Sequence, residues 1–337
     1  MQRLETLPPP PGVIASLQAG FNIVSSRIAL IILPLLLDVF LWLSPRLSVG
    51  NFYSALLTSW ITLLKQNGFS AQDISVYTAN GPLAVDLLGR LNWLGWIRTL
   101  PVGIPALMLD LPQELPIRTP LGVQDVIQLP SAIVVFGSII MLTFIGWLGG
   151  GLYFRIVAGA SLGEEEAGIG LIRAFAQTIL LSVIWGIGSV IVIVPVVLLV
   201  GFLGAINALL AEVAFFMILF LVFWLIVPLF FTPHGIFARK QNAIISILSS
   251  LRMSRFTLPT SSMFVLSAFL LSRGLSYLWQ VPASDSWLML VGIAGHAFIS
   301  TALLSASFVY YRDMNKWLQD VYEKFLQMSN RSTMKKA

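Results

Sequence analysis

The sequence predicts an all-α, polytopic integral membrane protein with six transmembrane helices, both termini inside, and a long external loop of interfacial helices. Three observations lead there. Of 337 residues 57% are hydrophobic and only 20 are basic and 15 acidic, where a soluble chain of this length carries about 84 charges. A mean hydropathy of +0.87 leaves too little polar surface to coat a globule in water. The apolar residues gather into six runs near the roughly 20 residues a helix needs to cross a bilayer, and the basic residues divide unevenly between the segments that join them.

Residues 1–20 read as a cytoplasmic leader in which Pro8 to Pro11 form a short polyproline stub or a disordered lead-in. Prolines stand where a secretory signal needs its apolar core. The first span, 21–43, needs more than the apolar run from Ile28, so it begins near Phe21 and places Arg27 within snorkelling reach of the headgroups. The further spans are 129–154, 174–200, 208–231, 264–282 and 287–311. With the N-terminus inside, the cytoplasmic segments, among them 155–173 and the tail 312–337, hold 14 of the 20 basic residues. The external segments hold five, all in one long loop, and Arg273 lies within a span. This split sets both termini inside, and the expected location is the cell (plasma) membrane.

The fifth span is weak. Its eight strongly apolar residues contribute about 2.4 to 4.8 kcal/mol to insertion, against about 2.5 to 3.5 for a central Arg273. It therefore depends on the sixth span, and the two are expected to form a hairpin. Small residues at four-residue spacing (Gly146 and Gly150; Ser182 and Gly186; Ala268, Ser272 and Ser276) mark expected helix contacts. The fourth span lacks Gly, Ser and Thr and suits a lipid-facing position.

The external loop, 44–128, carries Phe52, Leu56, Trp60 and Leu63 on one helical face. A second candidate helix, Pro82 to Ile97, aligns Leu83, Leu87, Leu91 and Leu94, with Asp86 and Arg90 placed for an i, i+4 pair. Five prolines then exclude a long helix between Pro101 and Pro120. The loop reads as a cap of interfacial helices, or alternatively as a small helical domain folded on itself.

The cytoplasmic segment 232–262 has four positive charges and no acid. Ile244, Ile247, Leu248 and Leu251 lie along one side, so Arg239, Lys240, Arg252 and Arg255 are candidate contacts for anionic lipid, or else only fix orientation. The run Ala243 to Ser246, then Ser249, Arg252 and Arg255, leading into a hydrophobic hairpin, resembles uncharacterised bacterial polytopic families. These include the membrane domain attached to some glycerophosphodiester phosphodiesterases. The resemblance spans the C-terminal third and implies a membrane module. The hydrolase of that family is a separate soluble barrel absent from this sequence, so no catalytic residue is implied.

No cysteine is present, which removes disulfides, thiolate metal sites and cysteine nucleophiles. The two histidines, His234 and His296, are far apart in sequence and form no HExxH pair; GxSxG, P-loop and GxGxxG patterns are also missing. No metal or cofactor is expected. What remains is a set of ionisable groups within spans: Asp38, Glu212, Arg273 and His296. Arg273 is read as snorkelling, as paired with Asp38, or as part of a solute path; His296 as a neutral packing residue; Glu212 as interfacial. The acidic triplet Glu164 to Glu166 is read as a solvated turn. The leading expectation is a non-catalytic accessory or scaffold module embedded in lipid, with possible membrane-protein partners and no nucleic acid. The alternatives are a transporter or channel using Asp38, Arg273 and His296, and a lipid-acting enzyme drawing on the external loop's carboxylates.

Overall fold

The computed structural model describes residues 9–110, 116–163 and 169–334; Arg3, Pro8, Glu114, the triplet 164–166 and Lys335 and Lys336 lie outside the described residues. Among the described residues five helices are long and apolar enough to cross a membrane, or six if one bent pair counts as a single span, and the protein is membrane-embedded. The first span departs from expectation. It is not one helix from Phe21 but two segments, α1 (Val13–Ser26) and a stretch from Ile28 that becomes α2 (Ile32–Leu43), bent by 97° at Arg27. Ser25 and Ser26 donate to the carbonyls of Phe21 and Ile23 in the last turn of α1, a back-bonding that competes with helix continuation. Pro34 then sits in the first turn of α2, where its missing N–H costs nothing.

After α2 the chain makes a short strand β1 (Arg46–Ser48) and a helical hairpin, α3 (Gly50–Gln66) and α4 (Ala71–Arg90). The second helix starts well before the expected Pro82, because Ser70 and Asp73 form a capping box that fixes its beginning. Asp86 and Arg90 do pair, at 2.9 Å. Leu56, Trp60, Leu83 and Leu87 are exposed on this hairpin. Short strands β2 (Arg118–Thr119) and β3 (Gly122–Val123) pair with each other, and β4 (Val126–Gln128) runs parallel to β1, tying the loop's end to its start.

Five more helices follow: α5 (Ala132–Leu162), α6 (Leu171–Ile206), α7 (Ala208–Phe230), the short α8 (Thr232–Arg239) and α9 (Ala243–Trp279). The last, α10, covers Met289–Met334. α10 is the axis of the bundle and touches α1, α2, α5, α8 and α9. Within the most apolar stretch of each span, 56% of residues are buried in α10 but none in α6 and 6% in α7, so α6 and α7 form a peripheral hairpin with its apolar surface outward. The expected hairpin of the last two spans is present: Cβ atoms added at Gly292 and Gly295 would lie 2.2 Å from the Trp279 carbonyl and 2.5 Å from its ring.

The segment 232–262 is not a loop. It comprises α8 and the first half of α9, and the kink that divides α9 lies at Thr257, two residues before Pro259. The first half of α9 turns its serines inward, with Ser246 donating to the Thr232 carbonyl and Ser250 to that of Pro228. Ile244, Leu248 and Leu251 point outward. Arg252 and Arg255 are exposed beside them, so the outward side of this half-helix is apolar with a basic margin while its hydroxyl groups face the bundle.

Candidate binding cavity

The proline-rich part of the long loop 44–128 does not lie over the bundle as an interfacial cap. Residues 97–108 enter it. Val102 and Leu107 are fully buried, Val102 in one core with Tyr153, Phe154 and Phe308, and Leu107 in another with Trp42, Leu142 and Ile293. Irregular backbone at such a position survives only where protein encloses it or it lines a cavity, since lipid satisfies no N–H or C=O. The glycines of α5 make room for it. A Cβ at Gly146 would stand 2.2 Å from the Ile97 carbonyl, and one at Gly150 would stand 2.8 Å from the Gly103 Cα. The Gly146 and Gly150 stripe therefore receives a loop rather than a helix. In the Ser182 and Gly186 pair, a Cβ at Gly186 would meet nothing within 4 Å, whereas the Ser182 hydroxyl is buried.

Asp38 anchors this loop from the other side. Its carboxylate is fully buried and accepts the backbone N–H groups of Leu107 (2.9 Å) and Met108 (3.0 Å). These open a single 3-10 turn, Leu107–Leu109, whose first donors have no partner within the turn. Two amide dipoles thus hold the charge that the sequence suggested was paired with Arg273. The Asp38 to Arg273 pair, one of the three readings of Arg273, is not formed: Arg273 lies 3.6 Å from Asp110, which is also 2.6 Å from Arg98. His296 Nδ1 stands 3.4 Å from Asp38 Oδ2, outside hydrogen-bonding geometry, and is buried.

Between this loop and α5, α7, α9 and α10 is a cavity of about 500 Å³. At one end Arg98 and Arg273 share the single carboxylate of Asp110, which leaves a net positive charge there. The Asp110 side chain is 19% exposed while the two arginine side chains are 35% and 54% exposed, and each guanidinium has N–H donors beyond its contact with Asp110. Further in, Ser272, His296, Ser300 and Ser307 punctuate walls made by Phe154, Ile226, Phe230, Val265, Phe269 and Leu303. Ser307 is hydrogen-bonded to His234 Nε2 at 2.6 Å. His296 and Ser307 therefore mark one wall about 16.5 Å apart along α10 at 1.5 Å per residue, with His234 behind Ser307.

Arg273 and His296 line this space and Asp38 stands directly behind His296, so the three intramembrane groups named from the sequence are brought to one region. Arg98 and Ser307 were not singled out as a site, and Asp110 entered only among the loop carboxylates of the enzyme alternative. The available signal was the stretch Leu100 to Leu109, strongly apolar yet without helical or strand period and broken by prolines. Glu212 lies exposed near the start of α7, away from the cavity. Arg239 and Arg252 line a second groove, farther along α9 and α10, whereas Lys240 and Arg255 do not. The loop carboxylates have other partners: Asp73 caps α4, Asp86 pairs with Arg90, and Asp110 holds the two arginines. Among the described residues no three His, Asp or Glu side chains converge as a metal site. Neither a protein-family model, nor a curated protein, nor a solved structure matches the chain.

Proposed function

We propose that the chain is a non-catalytic module of the cell (plasma) membrane, crossing it six times with both termini inside, that takes an anionic amphiphile into the cavity beneath its external loop. The observation that carries this reading is the loop itself. A buried, irregular segment roofs about 500 Å³ of mainly apolar space and contributes Arg98 and Asp110 to its charged end. Planar guanidiniums match a carboxylate or phosphate headgroup with two parallel hydrogen bonds. The phenylalanine and leucine walls then match its hydrocarbon. A protein that only scaffolds has no use for such a space. Movement of the bound molecule along the wall from His296 to Ser307 would make the module a transporter, with the same residues as its path.

The test is gentle purification in native lipid followed by mass spectrometry of what remains bound. An acidic amphiphile should co-purify, and Ala268→Trp, which fills the cavity beside α9, should lose it together with any flux in liposomes. A preparation that carries partner proteins but no small molecule would replace this reading with the scaffold, for which the outward apolar surfaces of α6 and α7 are the natural docking face.

A further inference from the structure

We infer that a second site, on the basic face of the bundle, holds the headgroup of an anionic phospholipid. This site is separate from the cavity and does not depend on the function proposed for it. Where α9 kinks at Thr257 and α10 runs on past the apolar core, the two helices diverge and leave a groove of about 750 Å³. Arg239, at the end of α8, and Arg252, on α9, both line it. Neither has a carboxylate within ion-pair distance among the described residues, and no acidic residue lines the groove. Arg239 is steadied by a 3.1 Å hydrogen bond to Asn315 Oδ1 and by a side-chain hydrogen bond with Tyr311, which together use two of the five guanidinium N–H donors and leave the others available.

The rest of the groove is apolar, with Leu248 and Phe256 from α9 facing Leu318 and Val321 from α10. Leu248 and Phe256 are themselves exposed, at 60% and 66%. Acyl chains seated there stay continuous with the surrounding bilayer while the phosphate meets the two arginines. A protein helix would have to cover the same outward apolar face of α9 that the bilayer already covers. Charge complementarity and this continuity commit the groove to a phospholipid with a net negative headgroup.

The whole chain, reconstituted in phosphatidylcholine nanodiscs with a minor fraction of phosphatidylglycerol, should retain phosphatidylglycerol preferentially when its bound lipids are counted by native mass spectrometry. At about 1 kcal/mol per basic group near the headgroups, Arg239→Gln and Arg252→Gln should each weaken retention about fivefold, and together about 25-fold. Arg255→Gln, which removes a charge outside the groove, should change it less than about twofold. Leu318→Trp keeps both arginines and fills the groove, so it should also lower retention and guards against a double variant that fails to fold. Equal retention of the two lipids by the unaltered chain would overturn the assignment. So would an Arg255→Gln loss as large as that of Arg239→Gln, which would mean diffuse attraction. Displacement of the lipid by inorganic phosphate alone would show a free-anion site instead.

Discussion

Asp38 and Arg273 have opposite environments, and their substitutions should behave accordingly. The Asp38 carboxylate is fully buried and takes two backbone N–H groups, a task an amide cannot repeat because its NH2 would face a donor. Asp38→Asn should lower stability by about 1.5 to 3 kcal/mol, the range for a hydrogen-bonded charged group. Arg273 is half exposed and only one of two cations on Asp110, so Arg273→Leu should change stability by less than about 1 kcal/mol. The double variant should be additive within about 0.5 kcal/mol in thermal melts of the purified protein; a rescue of Asp38→Asn by Arg273→Leu would restore the pair that the sequence suggested. That Asp38 is special was legible, since a carboxylate inside an apolar run must be satisfied. Its partner was not, because backbone amides leave no mark in a sequence and any nearby arginine looks eligible.

The same asymmetry holds for whole elements. The small-residue stripe of α5 was visible as a close-approach surface, but what approaches is a loop that begins about 50 residues earlier, and four-residue spacing is silent on that. The two faces of α5 can be separated experimentally. At Gly146 a methyl group meets the Ile97 carbonyl at 2.2 Å, whereas at Gly159 it meets nothing within 4 Å. Gly146→Ala should destabilise by about 1 to 3 kcal/mol through overpacking. Gly159→Ala should instead stabilise by about 0.5 to 1 kcal/mol through the helix preference of alanine over glycine. Equal effects in detergent melts would mean that the loop does not sit against α5. The broken first span shows a different limit. Hydropathy weighs residues 21–43 as one apolar run, while the serine back-bonds at residues 25 and 26 that end α1 are local hydrogen-bond events with no weight on that scale.

For the molecule as a whole, the bent pair decides the number of crossings. Val13 and Leu17 of α1 pack in one cluster with Trp317 and Leu318, on the part of α10 beyond the apolar core. At the other end Trp42 of α2 donates to the Ser284 carbonyl between α9 and α10, at 2.8 Å. The two halves therefore link opposite ends of the bundle despite the 97° bend, which is the physical ground for counting them as one span. A chain without cysteine makes this testable with single introduced thiols. Gly12, Gln72 and Gln319 are exposed in the structure. Of these, Gln72→Cys should react with an impermeant thiol reagent on intact cells, while Gly12→Cys and Gln319→Cys should react only after permeabilisation. Labelling of Gly12→Cys together with Gln72→Cys would mean that α1 and α2 dip into the membrane and return to the same side, leaving five crossings. Labelling of Gly12→Cys and Gln319→Cys without Gln72→Cys would invert the whole protein, and with it the leaflet that supplies each of the two sites.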